Sequence, residues 1–379
     1  MFFKYLFILI SLLGLFIISS CKKTITDSKP LDATISTWPK VGTGITGFPH
    51  YLYVDAGGAL YAAGNTGNYT CGASVSFVSK LTGNTWSQLG TGSNALNVNG
   101  SILTMCGDAG GNIYVAGLFT DSTSSGYCNV AGNSYVAKWN GTSWSMLGLK
   151  GAMGLNQDRI ISIAISPVTG YLFAATYSYF TQTNEVVFWN GNSWHTSDSA
   201  ATKLNGNINK LCFDNAGNLY VGGYFTNTSG KTYIAKWNGT SWVELGGANS
   251  LKTTGVIYDI CIDAIGNLYT GTSDWTSSYM AKWNGTTWTE IASPSELSTY
   301  RMCLDVAGNL YVGSIQSQIT ALDNTSYIAK WDGSSWSVLG KNTLFAYRFS
   351  SIVTNPTGGI YATGGLIDAN NQSYVGKYP

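Results

Sequence analysis

Charged residues are scarce in this sequence. Only 10% of its 379 residues are Asp, Glu, Lys or Arg, against about 25% in ordinary soluble domains. The 20 basic and 19 acidic residues leave a formal net charge of +1. Binding to nucleic acid depends on an excess of positive charge that displaces counterions. The composition therefore argues against a nucleic-acid partner and predicts a surface covered by Asn, Ser, Thr, Gly and Tyr.

Histidine is nearly absent, and the motifs of common catalytic sites are missing. The two histidines, His50 and His195, lie in no metal-ligand spacing with Cys or Asp. The sequence contains no G-x-S-x-G elbow, no phosphate-cradling loop and no calcium-binding loop. It therefore predicts no metal, no cofactor and no catalytic residue. Carboxylates brought together from distant repeats would be needed for catalysis, and Asp259 with Glu296 is the least implausible pair.

Helical periodicity is also missing, since residues 36–379 contain no persuasive helix. Instead, two short phrases recur. One reads DNAGNLYVGG from Asp214, and the other reads YIAKWNGTSW and ends at Trp242. Copies of the second phrase, some degraded, end at Trp86, Trp144, Trp194, Trp288 and Trp336. These closing Trp residues follow one another at steps of 46 to 58 residues. Such a period is typical of propeller blades, each a sheet of about four strands.

Each repeat has the pattern of four strands, A to D, joined by tight turns. Around residues 208–245 the A–B turn is Asp-Asn-Ala-Gly and the C–D turn is Asn-Gly-Thr. In both turns Gly supplies a positive φ, and Asn or Asp bonds its own backbone. Twelve of the thirteen Trp residues occupy the two Trp positions of the repeat. We interpret them as packing residues rather than as sugar-stacking platforms.

The two ends of the repeat region complement each other. The last repeat stops after its C strand, and the segment STWPKVG at 36–42 matches the D-strand pattern TSWVELG at 240–246. The first strand should therefore complete the last blade, which would leave no unpaired edge at the junction. The sequence predicts an all-β, seven-bladed β-propeller over residues 36–379, closed by residues 36–42. We expect it to be a monomer.

The N-terminal residues resemble the signal peptide of a bacterial lipoprotein. Lys4 is followed by the largely apolar run 5–18, and Ile18-Ser19-Ser20-Cys21 resembles a lipobox. The resemblance implies that residues 1–20 are removed and that Cys21 carries the lipid. The alternative is a transmembrane anchor, but the apolar run would span only about 21 Å as a helix, short of a hydrocarbon core of roughly 30 Å. Polar residues 21–35 follow as the lipidated cysteine and a flexible tether.

Cysteine usage raises two separate questions. Four thiols share one register, two residues before the Asp of the A–B turn: Cys106, Cys212, Cys261 and Cys303. Equivalent positions in neighbouring blades should be too far apart for a disulfide, so we expect buried, unpaired thiols. Cys71 and Cys128 lie in corresponding loops of adjacent repeats, and a disulfide between them is an open hypothesis. A count of six thiols in the unfolded, lipidated protein would exclude it.

Binding is expected on one face of the ring. The A–B and C–D turns share a face and repeat closely, whereas the D–A and B–C loops on the other face are long and different. Lys210, Asp259 and Arg301 occupy the same strand A position in blades four to six, near a mouth of the channel. They are either a polar ligand site or a mutually neutralising ion group of little energetic value.

Aromatic residues on this loop face are a second candidate. Trp275 is the one Trp outside the repeat register, and with Tyr177, Tyr179 and Phe225 it could form a patch that binds a sugar or a protein. The alternative is that these rings fold back over the blades. The pair Asp158-Arg159 could join the group at the channel mouth or remain solvated.

The repeats resemble those of secreted bacterial β-propellers of the NHL and SBBP groups and, more distantly, kelch. The resemblance rests on D-x-x-G-N-L-Y-V-x-G followed by Y-x-A-K-W-N-G-T-S-W, and it implies a fold but no functional residues. Three functions stay open. The first is a lipid-anchored envelope module, most simply of the outer membrane, that binds a glycan or an envelope protein through the loop face. The others are a polysaccharide-active hydrolase or lyase on that face and a scaffold subunit of an envelope complex. Periplasmic and surface orientations both stay open.

Overall fold

The computed structural model places the strands where the repeats predict them. It describes residues 38–45, 47–66, 75–98, 100–119, 134–148, 159–178, 183–197, 204–273, 278–292, 301–315, 326–342, 349–364, 366–368, 370 and 372–378. These residues form seven antiparallel sheets, six of four strands and one of three. Within these ranges, no helix combines the length and the apolar character needed to cross a membrane.

Each sheet is one blade, with its strands in chain order from the inside of the ring outward. Blades one to three contain β1 (Phe48–Val54), β2 (Leu60–Asn65), β3 (Ser76–Thr82), β4 (Thr85–Gln88), β5 (Ile102–Gly107), β6 (Ile113–Gly117), β7 (Ala137–Trp139), β8 (Trp144–Met146), β9 (Arg159–Ile165), β10 (Leu172–Ser178), β11 (Thr183–Trp189) and β12 (Trp194–Thr196). Blades four and five contain β13 (Ile208–Phe213), β14 (Leu219–Gly223), β15 (Ala235–Trp237), β16 (Trp242–Glu244), β17 (Val256–Ile262), β18 (Leu268–Ser273), β19 (Ser278–Trp283) and β20 (Trp288–Glu290). Blades six and seven contain β21 (Arg301–Leu304), β22 (Leu310–Ile315), β23 (Ser326–Trp331), β24 (Trp336–Asn342), β25 (Ser351–Thr354), β26 (Ile360–Thr363) and β27 (Gly376–Lys377). A short 3-10 helix, Gly92–Asn94, links the first two blades.

The seven blades form a closed ring. Each inner strand contacts the inner strand of the next blade, and β25 of the last blade contacts β1 of the first. The apolar cores lie between neighbouring sheets: Tyr220 of blade four packs with Ile257 and Leu268 of blade five. Burial of each large apolar side chain contributes roughly 1.5 to 3 kcal/mol. The fold is the seven-bladed β-propeller that the repeats predict.

The A–B turns owe their uniformity to one aspartate. In blade two, Asp108 accepts hydrogen bonds from the backbone N–H and side-chain amide of Asn112, at 2.9 and 2.7 Å, and from the Tyr114 hydroxyl, at 2.8 Å. Burial of Asp108 opposes its ionisation, but these bonds together lower its pKa. Lys138 lies over the Tyr114 ring, 5.5 Å from its centroid. The repeated Asp, Asn, Tyr and Lys of the two phrases are therefore one structural unit.

Blade three departs from this unit. Phe173 and Phe188 take the places of the Tyr and the Lys, and their rings stack 5.2 Å apart. His195 stacks on the other side of Phe188 at 5.2 Å, and its Nε2 lies 2.9 Å from the Ser193 hydroxyl. This stack explains why the phrase around residue 166 is degraded in the sequence.

Tryptophan packs each blade against its neighbour, as predicted. The two Trp side chains of a repeat face each other across the C–D turn, at 5.1 Å between Trp237 and Trp242. The indole Nε1 of the second Trp reaches the preceding blade: Trp288 donates to the Leu245 carbonyl at 3.0 Å, and Trp144 to the Leu89 carbonyl at 2.8 Å. These indoles therefore join neighbouring blades as well as filling volume.

The N-terminal segment closes the ring, as the sequence predicts. Residue Lys40 pairs antiparallel with Gly376 of β27, and the Val41 N–H donates to the Val375 carbonyl at 2.8 Å. Trp38 is 3% exposed, and its ring lies 5.5 Å from that of Tyr378, which corresponds to the Trp–Trp pair of blades two to six. The segment therefore supplies the D strand of blade seven.

The same segment also joins blade seven to blade one. Thr43 pairs with Thr85 of blade one, and the Trp86 indole donates to the Val41 carbonyl at 2.7 Å. The first described residues thus contact the last blade and the first blade at once.

Candidate binding site at the central channel

A bulge in strand A determines which side chains border the channel. In blades one to five the A–B pairing skips one residue, as at Asn209 between Ile208 and Lys210. The bulge lets Ile208 and Leu211, three residues apart, both enter one apolar core. It turns the polar residues between them toward the next blade and the channel.

One residue of each blade stands four positions before the first residue of the A–B turn, and we call this the lumen position. The seven residues are Tyr51, Thr104, Ser162, Lys210, Asp259, Arg301 and Ser351. All seven border a central cavity of about 440 Å³ that is lined by every inner strand. Sequence reasoning found only the three charged members, although the shared register identifies all seven.

At most lumen positions the side chain accepts a backbone N–H from the next blade. Thr104 accepts from Ile163, and Ser162 from Leu211, both at 3.1 Å. Ser351 accepts from Leu52 at 3.0 Å, which continues the pattern across the seam of the ring. The lumen position is therefore a joint between blades as well as part of the channel wall.

Lys210 cannot accept such a bond, and Asp259 compensates. The Asp259 carboxylate accepts the N–H of Ile260 at 3.0 Å, the N–H of Met302 at 3.0 Å and the Lys210 ammonium at 3.2 Å. Asp259 is buried, whereas 32% of the Lys210 side chain is exposed. The adjacent carboxylate raises the pKa of Lys210, and this effect outweighs burial. One ionised carboxylate thus completes the joints on both sides of blade five.

Arg301 lies on the same ring, and its Nε donates to the Ser350 carbonyl of blade seven at 2.7 Å. Lys210, Asp259 and Arg301 therefore carry a net charge of +1 on one side of the channel. The structure brings the three together as predicted and gives each a contact with a neighbouring blade.

The four thiols in register lie two residues further along strand A. Cys106, Cys212, Cys261 and Cys303 are unpaired, as predicted, but they are half-buried rather than fully buried. Cys261 and Cys303 border the cavity. Their low-dielectric surroundings disfavour the thiolate, and burial raises the pKa of Cys212 to about 12. Within the described ranges, no three His, Cys, Asp or Glu side chains come together in a way that could hold a metal ion.

A second polar group lies where blade three meets the loop face. Arg159, Tyr177 and Asn184 are adjacent on three neighbouring strands, and the Arg159 guanidinium lies over the Tyr177 ring at 4.9 Å. Asn184 is 6% exposed. The buried Arg159 Nε and Asn184 Oδ1 have no hydrogen-bond partner in the structure. A buried polar group left unsatisfied costs about 1 to 3 kcal/mol.

Several predicted site residues fall outside the described ranges. These are Cys21, Cys71, Asp158, Cys128, Tyr179, Trp275 and Glu296. Phe225 is described, and of the two alternatives it follows the second, in which the ring folds back over the blades. It is fully buried and meets Tyr233 edge-on at 4.9 Å, because it covers the core at the end of β14.

Comparison with solved structures shows the same fold in proteins of dissimilar sequence. The streptogramin B lyase structure matches with a TM-score of 0.60 at 10% identity, over 90% of this chain and 96% of that one. The WD40 β-propeller domain of Doa1 matches with 0.57 at 11%, over 90% and 96%. The extracellular domain of a hybrid two-component system from B. thetaiotaomicron matches with 0.58 at 12%, over 90% of this chain but only 39% of that longer chain.

No family model matches the chain, and no curated protein matches its sequence significantly. At such low identities the likeness extends to the fold alone, which hosts a lyase in one case and a WD40 domain in another. The chain is a seven-bladed β-propeller with two candidate polar groups, the lumen positions that border its cavity and the group around Tyr177 in blade three.

Proposed function

We propose that this protein is a lipid-anchored envelope β-propeller that binds a glycan or a protein segment at the loop-face mouth of its channel. The observation that carries the proposal is the polar group of blade three. Arg159 Nε is a buried donor without an acceptor, and Asn184 Oδ1 is a buried acceptor without a donor. They flank Tyr177, which lies between them on the neighbouring strand.

Both ligand classes match this chemistry. A sugar hydroxyl accepts and donates at once, and a peptide group offers one carbonyl and one N–H. Either could satisfy the two buried atoms while part of the ligand stacks on the Tyr177 ring. Lys210 and Arg301 add positive charge to the same channel, so acidic members of either class should bind more tightly than neutral ones.

Unequal faces give the proposal independent support. On the turn face the Asp, Asn and Tyr side chains of blades two, four and six bond one another, as in Asp305 with Asn309 and Tyr311. A face whose polar groups already have partners offers a ligand little. Of the buried atoms without a partner, Arg159 Nε and Asn184 Oδ1 lie at the opposite face, as expected for a binding site on a repeated scaffold, whereas Trp38 Nε1 lies in the apolar core of blade seven.

The test is a binding screen with neutral and acidic oligosaccharides and with extracted envelope proteins, followed by titration of any hit. We expect Tyr177→Ala to weaken binding by roughly tenfold or more, because a stacked aromatic contact is worth about 1 kcal/mol or more beyond its buried area. Arg159→Gln should also weaken binding. Tyr224→Ala is the matched control, since Tyr224 is exposed on the same face but lies in blade four.

Each result has a defined reading. Absence of any ligand for the intact protein, or equal affinity in all three variants, would overturn the proposal. Shortening of an oligosaccharide during the assay would replace it with the polysaccharide-active enzyme. Membrane anchorage is tested separately, by incorporation of a labelled fatty acid that Cys21→Ala abolishes.

A further inference from the structure

The turn face carries exposed apolar side chains around the channel mouth. Ile265 is 86% exposed, Val306 74% and Val168 67%. Each belongs to an A–B turn, where a branched apolar side chain that is so exposed leaves most of its surface in water. Ala264 is exposed beside Ile265, and Ala216 and Pro356 are exposed in two other A–B turns; together these residues form what we call the apolar collar.

Several neighbouring turns of the collar contact one another. The Asn215 side-chain amide of blade four donates to the Ala264 carbonyl of blade five at 3.2 Å. Val168 packs directly over Gly217 of the next turn, and Pro356 of the last blade lies against Gly58 of the first. The turns of blades three, four and five therefore contact one another in sequence, which brings Val168 and Ile265 onto one stretch of the surface.

The chain also enters the ring on this face. Trp38 begins the D strand of blade seven, and its ring pairs with Tyr378 as the two Trp residues do across the C–D turns of blades two to six. C–D turns lie on the same face as A–B turns. Trp38, the first residue that the structure describes, therefore lies at the turn-face end of its strand, and the proposed lipid site at Cys21 precedes it in the sequence.

We infer that the apolar collar rests on the lipid surface to which the N-terminus is anchored, so that the loop-face site points away from the membrane. This inference rests on the proposed anchorage. The tether alone does not hold the ring down, because the roughly 16 residues between Cys21 and Trp38 reach as far as about 55 Å when extended. The collar supplies the contact, since apolar side chains gain free energy on leaving water.

The test is radical footprinting of the full-length, lipidated protein in native membrane vesicles. Labelling of Val306 and Pro356 reports on the collar. Leu118 and Tyr224, exposed at the loop-face ends of β6 and β14, and Val243, exposed on the outer strand, are the references. The labelling of each residue is first divided by the labelling that its exposed area predicts. We expect this ratio to be several-fold lower for Val306 and Pro356 than for the reference residues.

A variant with Val168→Ser and Ile265→Ser tests whether the collar causes this protection. Both residues are exposed, so folding should be unaffected, and thermal unfolding checks this. Removing two apolar side chains should lower the equilibrium constant for lipid contact by roughly tenfold or more. Labelling of Val306 and Pro356 should then rise, while the protein stays in the membrane fraction.

Three outcomes overturn the inference. Protein that stays in the membrane fraction with an unprotected collar would refute it and leave the anchorage intact. Protection that survives in the variant would show that another partner covers the collar. Protein absent from the membrane fraction would refute the contact and the anchorage together, without bearing on ligand binding at the loop face.

Discussion

The Asp259 carboxylate connects blade five to both of its neighbours in the ring. It accepts three hydrogen bonds, two from backbone N–H groups and one from Lys210. The sequence identified it as part of a charged group and left a ligand site and a neutralised ion group as alternatives. The contacts give it a structural role that neither alternative contained, because the bond to the Met302 N–H belongs to a pattern that only the whole ring reveals.

We expect Asp259→Asn to lower the free energy of unfolding by about 2 to 3 kcal/mol. The Asn amide has the size of the Asp carboxylate. Its NH₂ group, however, replaces an acceptor oxygen and must then face a group that is itself a donor. Loss of a fully buried pair would cost more, but Lys210 is partly exposed and water screens the interaction. Ser351→Ala removes one neutral acceptor at an equivalent position and should cost about 1 kcal/mol. The free energy of unfolding of both variants is measured by urea denaturation and compared with that of the wild type.

The pH dependence gives this prediction a second check. The folded pKa of Lys210 lies above its ordinary value of 10.5, so the stability it contributes is present below that pH and is lost as pH rises through the folded pKa. The difference in stability between wild type and Asp259→Asn should therefore shrink in strongly alkaline solution. A difference that stayed constant would show that the ion pair contributes little and that the backbone bonds dominate.

At the scale of the strand, the sequence predicted the elements but not the bulge. The repeated phrases located the strands and turns, because turn residues and β-branched runs have local causes. The bulge is marked in the sequence only by the spacing of buried residues such as Ile208 and Leu211, which are three positions apart rather than two. Side-chain alternation alone would have placed Lys210 differently, and for this reason the joint between blades was missed. The loop-face contacts of Tyr177 were beyond prediction, because they depend on residues from three strands.

The bulge in blade four constrains strand B in a way that can be tested, whereas blades three and five carry Thr176 and Thr272 at the equivalent position. It brings the Asn207 carbonyl against Gly223, and a Cβ at Gly223 would collide with that oxygen. Gly64 and Gly117 meet the equivalent carbonyls of Phe48 and Ser101. We expect Gly223→Ala to cost more than about 3 kcal/mol, because rigid backbone cannot move aside.

Gly266 provides the matched comparison. Its φ is +89°, yet no atom lies within 4 Å of a Cβ built there. Gly266→Ala should therefore cost only the backbone strain, about 1 to 2 kcal/mol. Thermal unfolding compares the loss of stability in the two alanine variants. Equal losses would contradict the prediction and mean that the strand relaxes around the bulge.

At the scale of the molecule, stability depends on a seam that no covalent bond closes. Blade seven has three strands of its own, and Trp38 with residues 39–41 completes it. Without that segment, β27 would present an unpaired edge that invites pairing with another chain. The sequence predicted this closure because the first and last parts of the repeat complement each other.

We expect Trp38→Ala to lower the free energy of unfolding by about 3 to 5 kcal/mol, since a fully buried aromatic side chain is lost from the core around Phe349 and Leu366. Trp336→Ala is the control, because Trp336 holds the same repeat position in blade six but is only half-buried, and it should cost clearly less. The variant at the seam should also associate as protein concentration rises, which light scattering measures, because transient release of the segment exposes β27. Equal losses in the two variants, with no association, would show that blade seven holds together without its N-terminal strand.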